Sequence, residues 1–242
     1  MIIENANNMS RHFKNIFKDE VYKAIEENKE IFTSEVMEKF KVYILTSATI
    51  FANKLVRGKR HTVRYGTKQI VDIYDKFIDR DLYVPFRTSV DFGPDEDGKA
   101  RIYHSSIIIN SDELNYLILS NIYRLDTYME RIKLDARHEV GHLIDYLINI
   151  EGRSFDEVVK QYDEEDKIKT EYYKWRSEVI DNFDGDSDDD RIGLQREISE
   201  RYFQLPGEQR ADLYGGVDRQ QYLDIMESTL KHSPIIKIEV LN

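Results

Sequence analysis

The sequence predicts an α+β fold that is mostly helical, contains a small mixed sheet and is preceded by helices at the N-terminus. Two β-rich runs, residues 88–92 and 101–110, lie on either side of a strong turn signal at residues 93–98. Apolar residues recur at helical spacing before this pair of strands, between residues 10 and 56, and again from residue 126 onward. Helical segments therefore outnumber strands.

The composition limits the classes of partner. The chain has 242 residues, a net charge of −11 and an isoelectric point near 5.1. This acidic balance argues against nucleic acid or an anionic membrane as the main partner. Cysteine is absent, which excludes disulfides, thiolate metal sites and cysteine nucleophiles.

The chain shows no targeting segment. Its first residues lack the basic stretch and the apolar stretch of a signal peptide, and no run is long and apolar enough to span a bilayer. We therefore expect a protein that is cytoplasmic, or delivered or secreted by a route not visible in this chain. The compartment and the oligomeric state do not follow from the sequence.

The N-terminal part is predicted to consist of helices. The second of them begins near Thr33 and carries Val36, Phe40 and Tyr43 on one face. A basic loop at residues 54–68 follows, and a run of charge alone indicates a solvated connection rather than a binding patch.

A change of pattern near residue 79 divides the chain. We predict a helical N-terminal region, residues 1–79, packed on a mixed α+β domain, residues 80–242. The smaller elements expected around the central strands are a helix at 67–78 and a strand at 82–84. One further helix is expected to begin at residue 113. Five more are expected at 126–150, 155–183, 192–203, 208–213 and 222–230, and a last strand is expected at 235–240.

A short motif on the helix predicted at 126–150 points to metal chemistry. It reads His138-Glu139-Val140-Gly141-His142. Positions i and i+4 lie on one face of a helix, so the two imidazoles can bind the same ion. Glu139 is then placed to take a proton from a water that a zinc ion activates. Two surface histidines on an ordinary helix are the alternative interpretation.

A catalytic zinc site needs a third protein ligand, and Glu208 is the best candidate. Glu208 and Asp212 again stand four residues apart, so Glu208 can bind the metal while Asp212 accepts the N–H of a ligand histidine. Ala211 between them leaves room for a second helix to approach. Glu197 and Glu200 on the preceding predicted helix are the alternative ligands.

Together the two motifs resemble those of the gluzincin metallopeptidases. Within that group, Gly141, Asp145 and the long gap between the two motifs suggest a resemblance to the anthrax lethal factor catalytic domain and its relatives, including the proline-proline endopeptidases. The resemblance implies a zincin-like catalytic domain, Zn²⁺ as cofactor and a protein or peptide substrate. The residues it assigns are the zinc ligands His138, His142 and Glu208, the general base Glu139, and Asp212 as partner of a ligand histidine.

The family also places a tyrosine shortly before the ligand glutamate, where its hydroxyl stabilises the oxyanion. Tyr202 lies one residue short of that offset, and Tyr214 is the alternative. Glu208 follows His142 by 66 positions, which is longer than the family's pattern. The acidic tract at residues 184–190 accounts for part of this insertion.

The acidic tract alternates aspartates as a calcium-binding loop does. However, Asp189 stands where such a loop has its turn glycine, and Gln195 stands where it has its bidentate glutamate. We therefore expect a solvated loop rather than a calcium site.

Gluzincin-like enzymes align the substrate with an edge strand beside the metal helix. The run from Arg101 to Asn110 is the candidate for that strand. His104 within it is interpreted as a structural histidine rather than as a contact to substrate.

The sequence thus predicts a zinc-dependent endopeptidase. Two other classes remain open: a zinc-containing regulator that binds a peptide or protein without cutting it, and a virion-associated structural protein. The intact Glu139 argues against the regulator, since a protein that only binds has no need of a base there.

Overall fold

The computed structural model describes residues 2–45, 85–110, 114, 125–185 and 187–231. The elements in these ranges are, in chain order, α1 (Ile2–Glu27), α2 (Ser34–Lys39), β1 (Phe40–Leu45), β2 (Phe86–Pro94), β3 (Ala100–Asn110), α3 (Leu125–Asn149), α4 (Phe155–Asp181), α5 (Asp188–Phe203), α6 (Pro206–Gly215) and α7 (Arg219–Lys231). None of these helices combines the length and the apolar character needed to cross a bilayer. A mostly helical α+β fold with a small mixed sheet is confirmed.

Several predicted segments lie outside the described residues. They are the basic loop 54–68, the helix 67–78, the strand 82–84, most of the helix that begins at 113, and the strand 235–240. The predicted boundary near residue 79 lies outside them as well.

The described strands form one mixed sheet in the order β1-β3-β2. β1 runs parallel to β3, with Phe40 opposite Ser105, and β2 runs antiparallel to β3, with Phe86 opposite Ile109. The strand from Arg101 to Asn110 was predicted correctly, but its placement at an edge is wrong. It is the central strand, because β1 and β2 occupy its two edges.

The second predicted helix is wrong at residues 40–45, and its continuation lies outside the described residues. Thr33 does cap a helix, since its hydroxyl accepts a hydrogen bond from the Val36 N–H, but that helix ends at Lys39. Phe40 has an extended backbone, with φ −91° and ψ 137°, and the chain continues as β1. The aromatic and β-branched residues of this run suit a strand as well as a helix face, and pairing with β3 decides between the two.

The N-terminal segment belongs to the same core as the motif helix. The Phe17 ring of α1 is fully buried and stacks on Phe86 of β2, with centroids 3.9 Å apart and planes at 10°. Arg137 of α3, beside the first motif histidine, forms ion pairs with Glu20 and Glu27 of α1. The N-terminal segment therefore supplies one helix to the main core and one strand to the sheet.

The long insertion between the two motifs forms a pair of helices, α4 and α5. Tyr172 of α4 packs with Ile198 and Leu205, and its hydroxyl donates to the Ile198 carbonyl over 3.1 Å. Ser187 caps α5 in a reciprocal box with Asp190. The solvated loop expected at 184–190 is therefore wrong for its last three residues, which form the first turn of α5, where carboxylates favour the positive end of the helix.

Candidate metal centre

The two motif histidines lie together on α3, whose opposite side is buried in the core. Val140 and Leu143 are fully buried, whereas the side chains of His138 and His142 are 18% and 16% exposed. The two imidazole rings meet edge to face, with centroids 4.6 Å apart. The i, i+4 spacing therefore brings both rings to one side of the helix, as the sequence predicted.

α6 approaches α3 closely at two glycines. A Cβ atom on Gly141 would lie 1.7 Å from the Ala211 carbonyl oxygen, and one on Gly215 would lie 2.3 Å from the Arg137 carbonyl oxygen. Side chains at either position would therefore force the two helices apart. The expectation that Ala211 leaves room for a second helix is confirmed, and that helix is α3.

Glu208 of α6 reaches both histidines with one oxygen. Its Oε2 lies 3.1 Å from Nε2 of His138 and 3.4 Å from Nε2 of His142. One ligand atom from each of these three residues lies within 4.8 Å of the others, and the described part of the chain holds no other such group. The three side chains can therefore bind a metal ion together.

Opposite charges stabilise one another within this group. Burial alone would raise the pKa of Glu208, but the charge of His142 and hydrogen bonds from both histidines hold it well below its usual value. Burial alone would lower the pKa of His138, but Glu208 and the charge of Glu139 together outweigh burial, so the net shift is upward. An ionised carboxylate beside two imidazoles is a suitable donor set for a divalent cation.

Asp212 lies against the other side of His138. Its Oδ1 is 2.7 Å from Nδ1 of His138, which is the arrangement the sequence predicted for a ligand histidine. A carboxylate at this position favours the tautomer that carries its proton on Nδ1. Nε2, the ring nitrogen that faces Glu208, is then the one left to bind a metal ion.

Arg219, which the sequence did not single out, holds Asp212 in turn. Its Nε contacts the second carboxylate oxygen of Asp212, and its Nη2 donates to the Glu208 carbonyl over 3.1 Å. The guanidinium lies 3.5 Å from the centroid of the Phe203 ring. Burial lowers the pKa of Arg219 to about 10, so it remains charged at neutral pH. An arginine at the start of a helix gives no local signal of such a role.

Tyr202 is the tyrosine next to the metal-binding group. Its hydroxyl donates to Oε1 of Glu208 over 2.8 Å. Burial, with the charge of Glu208 added, raises the pKa of Tyr202 well above its usual value, so the hydroxyl keeps its proton at neutral pH. Tyr214 packs instead against the main apolar core.

The other residues that the sequence singled out as possible ligands or substrate contacts have partners outside the metal-binding group. Glu197 and Glu200 form ion pairs with arginines one turn away on α5 itself. His104 is buried in the sheet, with its Nε2 3.3 Å from the Tyr43 hydroxyl, and burial lowers its pKa. This environment is that of a structural histidine, as expected.

A second buried network joins the helices that carry the site. Asp145 of α3 is 1% exposed and accepts hydrogen bonds from Asn149 at 2.6 Å and from Arg210 of α6 at 2.7 Å. Arg210 also donates to Glu165 of α4 over 2.8 Å. The Asp145–Arg210 pair therefore ties α3 to α6 one turn beyond His142. In the sequence Asp145 stood out only through the family resemblance, and Arg210 did not stand out.

Replacing Gly141 with Ala should weaken metal binding, because the new methyl group would meet the Ala211 carbonyl and displace α6 together with Glu208. We expect the Kd for a divalent metal to rise at least about tenfold, since even changes around the ligands cost that much. Competition with a chromogenic chelator measures it. Gly193→Ala in α5 is the control: its Cβ meets nothing within 4 Å. Equal metal affinity in both variants would contradict the close contact of α3 and α6.

No protein-family model matches the chain, and neither does any curated protein or solved structure. The resemblance to the gluzincins therefore stays a prediction from the two motifs. Support for a function comes from the geometry of the three metal-binding side chains and of the residues around them.

Proposed function

We propose that the protein is a zinc-dependent endopeptidase. The observation that carries this proposal is the separation of the three ligand atoms. Ligands bound at about 2.0–2.1 Å to a tetrahedral zinc ion lie about 3.3 Å from one another. Oε2 of Glu208 lies 3.1 Å and 3.4 Å from the Nε2 atoms of His138 and His142. Two imidazoles and one carboxylate are also a ligand set of zinc hydrolases, in which a fourth position stays open.

The residues around this group support hydrolysis. Zinc, when bound, supplies a Lewis acid that lowers the pKa of a water and polarises a carbonyl group. Glu139 takes the proton of the attacking water and returns it to the leaving amine. The Tyr202 hydroxyl exchanges its hydrogen bond to Oε1 of Glu208 for one to the substrate carbonyl oxygen as that oxygen becomes negative. Asp212 and Arg219 hold His138 in the tautomer that a ligand requires.

The edge of β2 fits an extended peptide substrate. Within the described ranges β2 pairs with β3 alone, and its Thr88 contacts Glu139 of the motif helix. Backbone groups on such an edge bind a peptide by strand addition. β2 therefore replaces the run from Arg101 to Asn110, both of whose edges are occupied, as the proposed substrate strand.

Hydrolysis explains more of the site than binding alone. A protein that only bound zinc and a peptide would need the three ligands but neither Glu139 nor Tyr202. Glu139 is only 9% exposed, and Tyr202 is hydrogen-bonded to a ligand carboxylate. The role of a general base accounts for the burial of the Glu139 carboxylate, and the Tyr202 hydroxyl, which stabilises Glu208, is also available as an oxyanion donor.

Replacing Glu139 with Gln should lower kcat/KM at least about 10²-fold, because the amide cannot take the proton of the water. One zinc per chain should remain, because the ligands are unchanged. A quenched-fluorescent peptide library and elemental analysis of the purified full chain measure the two. Glu130→Gln, on the exposed face of the same helix, is the control. A wild-type chain without stoichiometric zinc, or cleavage by the Glu139 variant at the wild-type rate, would contradict the proposal.

Replacing Tyr202 with Phe should lower kcat about 10²–10³-fold with little change in KM, since it removes one hydrogen-bond donor to the oxyanion. Steady-state kinetics on a peptide selected from the library, with zinc content as a second readout, test this. Tyr214→Phe is the matched control and should retain wild-type kcat. A loss confined to the Tyr214 variant would show that the oxyanion donor has been misassigned.

A further inference from the structure

We propose that Thr88 of β2 is a positioning residue for Glu139, because its hydroxyl donates a hydrogen bond to the Glu139 carboxylate. The catalytic meaning of this contact rests on the proposed function, in which Glu139 is the general base. Oγ1 of Thr88 lies 2.8 Å from Oε2 of Glu139 and 2.7 Å from the Glu139 carbonyl oxygen. Both side chains are buried.

The position of Thr88 in β2 makes its hydroxyl an exception among apolar neighbours. Side chains alternate along a strand, so Phe86, Thr88 and Val90 lie on the same face. Phe86 belongs to the main apolar core, and Val90 packs against a second apolar cluster that contains Ile102. A valine would fill nearly the same space without a buried hydroxyl that needs a partner. The contact with Glu139 provides that partner.

The hydroxyl has one proton and two acceptors within reach. The Glu139 carbonyl lies inside α3, where the N–H four residues later already donates to it. The carboxylate carries charge, and hydrogen bonds to charged acceptors are about twice as strong as neutral ones. We therefore assign the proton of Thr88 to Oε2 of Glu139.

This hydrogen bond has a consequence for the base. One carboxylate oxygen is held by the sheet, which leaves Oε1 for the attacking water. A glutamate side chain otherwise rotates about three bonds, and fixing it beforehand removes that freedom from the reaction step. Because β2 is also the proposed substrate strand, Thr88 sets the position of the base relative to the bound peptide.

Kinetics of Thr88 variants provide the first test. Thr88→Val should lower kcat about 10- to 100-fold, because a misplaced catalytic group costs that much, and should leave KM and zinc content unchanged. Thr88→Ser, which retains the hydroxyl, should restore most of the rate. Ser106→Ala on β3 is the control, since its buried hydroxyl has no partner among the described residues. Wild-type kcat in Thr88→Val would overturn the proposal.

A double-mutant cycle on unfolding provides the second test and requires no activity. Thr88→Val is measured by urea denaturation in the wild-type chain and in a Glu139→Met background, whose side chain has similar length but no carboxylate. In the wild-type chain, Thr88→Val should raise the unfolding equilibrium constant at least about tenfold, as expected for the loss of a hydrogen bond to a charged group. In the Glu139→Met background, where that carboxylate is absent, the same substitution should raise it clearly less. An equal rise in both would assign the hydroxyl to the carbonyl oxygen and overturn the proposal.

The two tests separate the failure of this proposal from that of the proposed function. A wild-type chain that neither binds zinc nor cleaves the peptide library overturns both, whatever the unfolding cycle shows. An active zinc enzyme in which the cycle shows coupling but Thr88→Val keeps full kcat overturns only the positioning role. Coupling together with a reduced kcat, rescued by Thr88→Ser, supports it.

Discussion

The candidate site depends on the close approach of α3 and α6. Each helix alone carries only part of a metal site, two histidines on one and a carboxylate on the other. Gly141 and Gly215 allow the two backbones to touch. Because they have no side chains, the carbonyl groups of Ala211 and Arg137 can occupy the space where a Cβ atom would lie. Only at this separation does the short side chain of Glu208 reach both imidazoles. The close contact that forms the site therefore requires glycine at these two positions, whereas helix formation itself does not.

The close contact of α3 and α6 also buries the Glu208 carboxylate, and the surrounding residues compensate for the loss of its hydration. An ionised carboxylate removed from water costs several kcal/mol unless it is paired and hydrogen-bonded. Glu208 has the two histidines on one oxygen and the Tyr202 hydroxyl on the other. Asp145 and Arg210 form a second ion pair between the two helices one turn further along, in which the Asp145 carboxylate is buried and Arg210 is partly exposed. Helix packing and electrostatics thus stabilise one and the same geometry.

The sequence predicted those parts of the site that are encoded by local spacing. The pairs His138 with His142 and Glu208 with Asp212 follow from helical periodicity, and their helices lie where the apolar pattern placed them. The contacts of Thr88 and Arg219 depend on which strand or helix packs beside α3 and α6, and nothing adjacent in the chain reports that. For the same reason β1 was mistaken for helix and β3 for an edge strand. Their state is decided by pairing between residues about 65 positions apart in sequence, such as Phe40 and Ser105.

The central claim is that α3 and α6 together form one zinc site. Anomalous diffraction at the zinc absorption edge, from crystals of the full chain loaded with zinc, tests it most directly. We expect one strong peak within bonding distance of Nε2 of His138, Nε2 of His142 and the Glu208 carboxylate, about 2.0–2.2 Å from each. A peak bound by other residues, or no peak at stoichiometric zinc, would contradict it.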